Sequence, residues 1–555
     1  MSFTSFSLKK AAWLISALFI TLFFILPVSS IVYESFFAEW HNMQHLWQTA
    51  LSTYAYNSFL LVFFTLIFSL IFALPSAWFV SNYQFLGQKH LQWLLCIPLA
   101  MPAYLAGYFY TEFLDYTGPV QIFLRQLFGW TNIHDYWFPE IRSIGGASFV
   151  LGLVLYPYLF LLVRLAFLEQ GETLIQSAKL LGANKRKIWL KIIFPLIRPA
   201  IVVGCALIAM ETLGDFGTVA YFSIPTLTTA VFDTWLGFGD LGSASQISVF
   251  ILLMIFSLLL IERYSRRKQK TYQNHHSERR PLRKLKGLSA IFVPLFCWGL
   301  VGIAFFVPLA RFAYWAFKDF SLEQVDRFSE YAYHSLSVSI VAAVACVGLA
   351  LVLHFFRRIA QQYGLFMQKS AYYSMQLSSL SYAVPGTVLA IGILIPYTFL
   401  DHKVDALLTA LGLPSVGLIF SGSMLGLVSA YIIRFGALAI GSIDTSMQKI
   451  PPTLDYASQT LGFNGWKMLT KIHLPLLNKG IFTALLMVFI ESMKELNASL
   501  LLRPFNFDTL ATYVFAFTSD EQLEQAALPA LALILVGLVP VIWLTRALVL
   551  QTQKG

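Results

Sequence analysis

The chain has 555 residues, 57% of them hydrophobic and only 12% charged, with a mean hydropathy of +0.68 and a formal net charge of +10. Apolar runs of roughly 20 residues, long enough to cross a bilayer as helices, recur along its whole length, so no stretch is left over for a soluble domain. The expected class is an all-α polytopic membrane protein.

Hydropathy predicts twelve spans, at about 11–33, 54–80, 91–115, 144–166, 199–221, 243–262, 288–315, 332–356, 372–400, 417–440, 480–502 and 525–548. The first follows Lys9 and Lys10 as a signal peptide would, but it is long and lacks a small-x-small cleavage site, so a retained anchor is expected. The third and ninth each contain a proline, in "LAMPAY" at Pro102 and "YAVPGT" at Pro385. Interrupted helices frequently line transport sites, although a proline kink can also serve packing alone. In and after the third span, Tyr104, Tyr108, Tyr110, Glu112 and Asp115 offer oxygen ligands; an interface belt is the plainer reading of such tyrosines.

Lysine and arginine stay preferentially on the cytoplasmic side during insertion, and an inside N-terminus puts most of the 38 there. Both termini are then cytoplasmic. The segment 262–286, "ERYSRRKQKTYQNHHSERRPLRKLK", is the largest contributor. Such a run could bind anionic lipid or nucleic acid, but a cytoplasmic linker obeying the charge rule accounts for it, so membrane lipid and no nucleic acid is expected.

That linker divides the chain into a first half at 1–262, a linker at 263–287 and a second half at 288–555, each half with six spans. An offset of 280 aligns Glu172–Glu211 with Pro452–Glu491 without gaps, with 12 identities in 40 positions, among them Leu181/Leu461, Gly182/Gly462, Asn184/Asn464, Pro195/Pro475 and Glu211/Glu491. The fold class sharpens to about 12 transmembrane helices in two pseudo-symmetric six-helix halves.

Both copies fall in the loop between the fourth and fifth span of their half. A short helix at Gln176–Leu181 or Tyr456–Leu461 is ended by a glycine, and a second amphipathic piece carries Trp189, Ile192 and Phe194, or Leu469, Ile472 and Leu474. Pro195 or Pro475 is expected to limit how far that piece continues. A knuckle with an apolar face and a basic rim suits a helix-in-groove contact with a soluble partner. An interfacial helix on lipid headgroups would explain one copy but not a repeat of fixed spacing.

These residues resemble the signature cytoplasmic loop of binding-protein-dependent ABC importer permeases, E-A-A, three residues, Gly, then F-x-x-I-x-L-P. It reads Gln176, Ser177, Ala178, Gly182, Trp189, Ile192, Phe194, Pro195 in one copy and Tyr456, Ala457, Ser458, Gly462, Leu469, Ile472, Leu474, Pro475 in the other. The resemblance implies a coupling helix that docks on an ATPase. The family glutamate is replaced by Gln176 and Tyr456, and Glu172 and Asp455 are the nearest carboxylates that could substitute. "METLGDFGTVAYF" at 210–222, "LTTAVFDTWLGFGD" at 227–240 and "KELNASLLLRPFNFDTLATYVF" at 494–515 further resemble the fused two-half permeases of ferric-iron ABC importers. That resemblance implies a periplasmic iron-binding protein delivering Fe(III), a homodimeric cytoplasmic ABC ATPase, and a place in the bacterial inner membrane. The chain has no G-x-x-x-x-G-K-[ST] phosphate loop, so ATP belongs on the partner and no cofactor or catalytic residue is expected here.

Within spans, ionisable groups are costly and tend to face a cavity or another polar group. Glu211 and Asp215 in the fifth span correspond to Glu491 and Glu495 in the eleventh. A spacing of four puts each pair on one helix face, where the four carboxylates would make an electronegative path for a hard cation. Helix pinning, with Lys494 as partner, is the competing role. No metal ligand set is assigned: Cys96, Cys205, Cys297 and Cys346 are scattered, and the ten histidines show no ligand spacing, His402 and His473 lying in loops. The loops at 116–143 and 503–524, with Arg125, Asp135, Glu140, Arg142, Asp520, Glu521 and Glu524, are placed to receive a binding protein.

Two alternatives keep the topology. Thiamine, polyamine or another small solute would change the cargo alone, and an organic cation would favour an aromatic cage over carboxylates. A secondary transporter would have no use for the repeated Gly/Pro knuckle.

Overall fold

A computed structural model describes residues 3–168, 172–266, 282–318, 322–362, 364–463 and 465–554. Among them, eleven helices are long and apolar enough to cross a membrane, and a pair bent by 90°, Gln88–Ala100 with Ala103–Phe128, makes up to twelve.

The chain forms two compact units. One consists of Met1–Trp40, Val231–Val249 and Leu322–Phe515; the other of His41–Ala230, Phe250–Ser321 and Ala516–Gly555. These units divide the chain differently from the sequence halves, because the first helix of each half joins helices of the other. Ala11–Phe37 packs on Leu365–Leu380 and Gly386–Ala410, and Ser289–Lys318 packs on Ala103–Leu114 and on the helix that starts at Leu523. A glycine permits the first of these contacts: a Cβ on Gly392 would lie 2.5 Å from the Pro27 carbonyl oxygen, and the freed space lets Ser30 Oγ donate to the Gly392 carbonyl at 2.5 Å. Small residues drive close helix packing where lipid competes equally well for apolar surface.

Three helices form the heart of each unit. In one they are the second, fourth and fifth spans, His41–Asn82, Ile144–Leu168 and Arg186–Gly214; in the other they are the eighth, tenth and eleventh, Val325–Ala360, Met424–Met447 and Trp466–Lys494. Equivalent polar ties repeat as well. Ser58 Oγ accepts from the Leu227 backbone at 2.9 Å in one unit, and Ser335 Oγ accepts from Leu510 at 2.7 Å in the other.

Both proline-bearing spans are broken. Before Pro102 and Pro385 the chain forms a single 3₁₀ turn, Ile97–Ala100 or Ser381–Ala383, then one extended residue, Met101 or Val384. A new helix starts immediately after each proline. The residue ahead of a proline is pushed from helical to extended backbone, which accounts for both breaks. Hydropathy joined the two pieces of the ninth span into 372–400; the continuous helix is Gly386–Ala410, preceded by Leu365–Leu380.

Most of the linker, 267–281, lies outside the described residues. Its end pairs Arg283 and Lys284 in parallel with Tyr83 and Gln84.

Candidate functional site

Both repeated loops end their first helix with the same glycine cap. Glu172–Leu180 ends in a left-handed glycine, Gly182 at φ +77°, with Gly182 N–H donating to Lys179 at 2.9 Å and Ala183 N–H to Ala178 at 3.0 Å. Pro452–Thr460 ends at Gly462, φ +82°, with Gly462 N–H donating to Gln459 at 3.0 Å and Phe463 N–H to Ser458 at 3.0 Å. Each is a Schellman cap, which needs a residue without Cβ at the left-handed position. Asn184 then caps the next helix of the first loop by accepting from Lys187 N–H at 2.8 Å.

Neither proline ends its helix, contrary to expectation. Arg186–Gly214 and Trp466–Lys494 run on without a break. In each, one wide turn precedes the proline, Trp189–Ile193 or Leu469–His473, closed by Phe194 N–H donating to Trp189 or Leu474 N–H donating to Leu469. Proline supplies no N–H to the preceding turn, and a local π turn absorbs the loss.

Around each glycine the surface is apolar and open. Leu180 is 89% and Leu181 87% exposed; Leu461 is 75% exposed, with Tyr456 and Trp466 also outward. Gln176, Ser177, Ala457, Pro195 and Pro475 are exposed, whereas Ala178 and Ser458 turn inward and Ile192 and Ile472 are half-buried. The aromatic-or-aliphatic motif position differs between the loops: Trp189 is partly exposed and meets the Trp78 ring at 5.2 Å, while Leu469 is buried with Met468 against Phe355 and Ile359.

Asp455 is not free to replace the family glutamate. It is buried, accepting from Arg358 Nε at 2.5 Å and from His473 Nε2 at 2.9 Å. His473, placed in a loop by the sequence reading, is fully buried on the wide turn. Pairwise spacing along the sequence could not reveal this cluster, whose members come from three elements. The Glu172 side chain lies outside the described residues.

The four intramembrane carboxylates do not sit as two helix-face pairs. Gly214 and Lys494 are the last residues of their helices, and Asp215 and Glu495 follow in extended backbone. From there each caps the next short helix. Asp215 accepts from Thr218 N–H at 3.0 Å, Val219 N–H at 3.2 Å and the Thr218 hydroxyl at 3.0 Å; Glu495 accepts from Ala498 N–H at 3.1 Å and pairs with Arg434 Nε at 3.3 Å. A capping carboxylate satisfies helix-end N–H groups that lipid cannot, which is why the chain leaves the helix at these positions. Glu491, half-buried in the last turn, pairs with Lys494 at 3.0 Å, and Glu211 is likewise half-buried.

Elsewhere, Tyr104, Tyr108 and Tyr110 are buried inside their unit instead of forming a belt, and Tyr110 donates to the Ile303 carbonyl at 2.6 Å. Glu112 pairs with Arg311 at 2.6 Å on the wall of a cavity of about 410 Å³ that Glu521 and Glu524 also line. Asp115 meets Arg142 at 3.6 Å, and Asp135 closes a capping box with Asn132. Hydrogen bonds from Asn132 and Thr131 hold the Asp135 carboxyl below its ordinary range. Among the described residues no group of three or more His, Cys, Asp or Glu could hold a metal ion. Cys96, Cys297 and Cys346 are buried.

Residues 364–554 match the family described as "Binding-protein-dependent transport system inner membrane component". Over those residues, in its second half, the chain is similar to binding-protein-dependent transport permeases. The chain is 24% identical over 475 residues to the Fe(3+)-transport system permease protein FbpB 2 of Haemophilus influenzae, covering 85% of each. It is 26% identical over 268 residues to the sulfate transport system permease protein CysT of Escherichia coli, covering 45% of this chain and 92% of that one. It is 28% identical over 223 residues to the molybdenum transport system permease protein ModB of the same organism, covering 39% of this chain and 92% of that one. The permease is therefore a multi-pass inner-membrane transport subunit, not an enzyme, and works with a separate ATPase and a binding protein.

Proposed function

We propose that this permease carries Fe(III), delivered by a periplasmic iron-binding protein, and that both Gly-capped loops dock on a homodimeric cytoplasmic ATPase that holds the ATP. The observation that carries the docking role is the duplicated cap: two loops share one glycine-capped turn and one exposed apolar tip. A pair of identical grooves, one per ATPase protomer, is the partner that such a pair of knobs fits. The outward contact residues are Gln176, Ser177, Gly182, Trp189 and Pro195 in one loop and Tyr456, Ala457, Gly462 and Pro475 in the other; Ile192 and Ile472 are half-buried, and Ala178, Ser458 and Leu469 pack inward and support the loops from beneath. With Gln176 and Tyr456 at the acidic position and Asp455 engaged internally, shape and apolar contact carry the docking.

In this reading both termini and both loops are cytoplasmic. ATP closes the ATPase dimer, the loops move as levers, and the membrane halves rock to open the path outward; hydrolysis resets them. The chain itself supplies no catalytic group. Glu211 and Glu491 are the carboxylates assigned to the path, while Asp215 and Glu495 shape the turns beside it.

Iron as cargo is supported by the similarity over 85% of the chain to a Fe(3+)-transport permease, whereas the sulfate and molybdenum relatives match 45% and 39% of this chain. Uptake of labelled Fe(III), sulfate and molybdate in cells with and without this chain tests it. Iron uptake that depends on the chain is expected; chain-dependent uptake of an oxyanion with unchanged iron uptake would overturn the cargo.

A further inference from the structure

The two coupling loops are built alike at their tips and differently at their roots. In the second, Asp455 sits on the coupling helix itself, Arg358 in the last turn of the eighth span and His473 on the wide turn that opens the eleventh. Asp455 accepts from both, at 2.5 Å and 2.9 Å, and Arg358 also donates to the Ile450 carbonyl at 2.9 Å. His473 Nδ1 faces no partner while the ring stands against Phe355, so the hydrogen belongs on Nε2 and is donated to Asp455. The neighbouring Arg357 reaches the end of the tenth span, pairing with Asp444 at 3.2 Å. One Arg-Arg step thus ties the eighth span to the tenth on one side and to the coupling helix on the other.

Among the described residues, the first loop has no such cluster. At the 280-residue offset, Asp455 and His473 correspond to Ile175 and Ile193, and the last turn of the second span carries no basic residue. The root of that loop rests on ring contacts, Trp78 with Trp189 and Trp78 with Phe167, each at 5.2 Å. Apolar contacts tolerate sliding, whereas a buried, multiply hydrogen-bonded ion pair fixes direction as well as distance.

We infer that Arg358, Asp455 and His473 form a clamp that makes the second loop the stiff member of an unequal pair of levers, through which ATPase closure is transmitted to the eighth and eleventh spans. These are positioning residues, and the inference rests on the docking role proposed above. It predicts that losing the clamp uncouples hydrolysis from transport without releasing the ATPase.

The test uses the full permease–ATPase complex in lipid nanodiscs and proteoliposomes, with the Fe(III)-loaded binding protein as probe. The readouts are basal ATPase activity, its stimulation by the binding protein, and iron transported per ATP. Asp455→Asn keeps the shape and one acceptor; R358M/D455L/H473L refills the same volume without charge, so that a folding defect in the first variant does not leave the question open. Both variants are expected to keep the ATPase bound and its basal rate near normal while iron per ATP falls about fivefold, the scale of an ordinary coupling free energy. Trp189→Ala in the first loop should change that ratio less. Wild-type iron per ATP in Asp455→Asn, or its recovery in the apolar triple variant, would overturn the clamp. If instead the wild-type complex shows no stimulation by the loaded binding protein, the function proposed above is what fails.

Discussion

Gly182 and Gly462 occupy the same left-handed backbone position, at φ +77° and +82°, each closing a pair of cap hydrogen bonds behind an exposed leucine. No neighbour lies within 4 Å of where a Cβ would stand at either one, so packing does not demand glycine there; the backbone angle does. Alanine at either position should therefore distort the cap at a cost of about 1–2 kcal/mol without a core clash. Transport should fall several-fold in each single variant and be lost in the double, measured as uptake at matched membrane abundance. Unchanged uptake in G182A/G462A would remove the caps from the mechanism.

The exposed leucines beside those caps test docking directly. Leu181→Asp and Leu461→Asp alter side chains that are 87% and 75% exposed, so folding should survive both. A charge at the centre of an apolar contact costs about 2–4 kcal/mol of binding, and the double variant should lose ATPase on purification. Retention of a full complement of ATPase would place the contact elsewhere.

Arg434 and Glu495 form a buried pair over Gly386, where a Cβ would stand 2.5 Å from Glu495 Oε1 and 2.8 Å from Arg434. Arg434→Met leaves a buried carboxylate uncompensated, and the expected loss is about 3–5 kcal/mol. Glu495→Gln keeps an acceptor for Ala498 and should cost less. Thermal unfolding in detergent should show Arg434→Met as the lower of the two; the reverse order would mean that the cap, not the ion pair, dominates this corner.

The carboxylates separate into two groups by what they touch. Asp215→Ala removes a cap and should lower stability by about 1 kcal/mol. Glu211→Gln and Glu491→Gln change half-buried groups near the helix ends and should lower iron uptake while leaving thermal stability nearly intact. Normal uptake in the Glu211→Gln/Glu491→Gln double variant would take both out of the path.

Local signals in the sequence located the loops well. The glycine at 182 and 462 followed a short polar helix and preceded an apolar one, and the structure places a cap at each. Proline effects were legible only in part: Pro102 and Pro385 break their spans, but Pro195 and Pro475 are absorbed by a wide turn that no residue pattern announces. Hydropathy ran the ninth span through its break at Pro385, because a window average does not register backbone direction. The spacing rule that put Glu211 with Asp215 and Glu491 with Glu495 on single helix faces failed for a related reason: it assumed a helix continuing past Gly214 and Lys494. The Arg358–Asp455–His473 cluster is a tertiary contact among three elements, and the chain order of its members carries no trace of it.

Cysteine cross-linking from the loop tips to the ATPase is the most direct test of the paired-lever account. With cysteine placed singly at Leu181 and at Leu461 in the intact complex, each should form an adduct with an ATPase protomer, and the two together should join two protomers to one permease. Absence of an adduct from either position in a complex that still retains its ATPase would contradict the account.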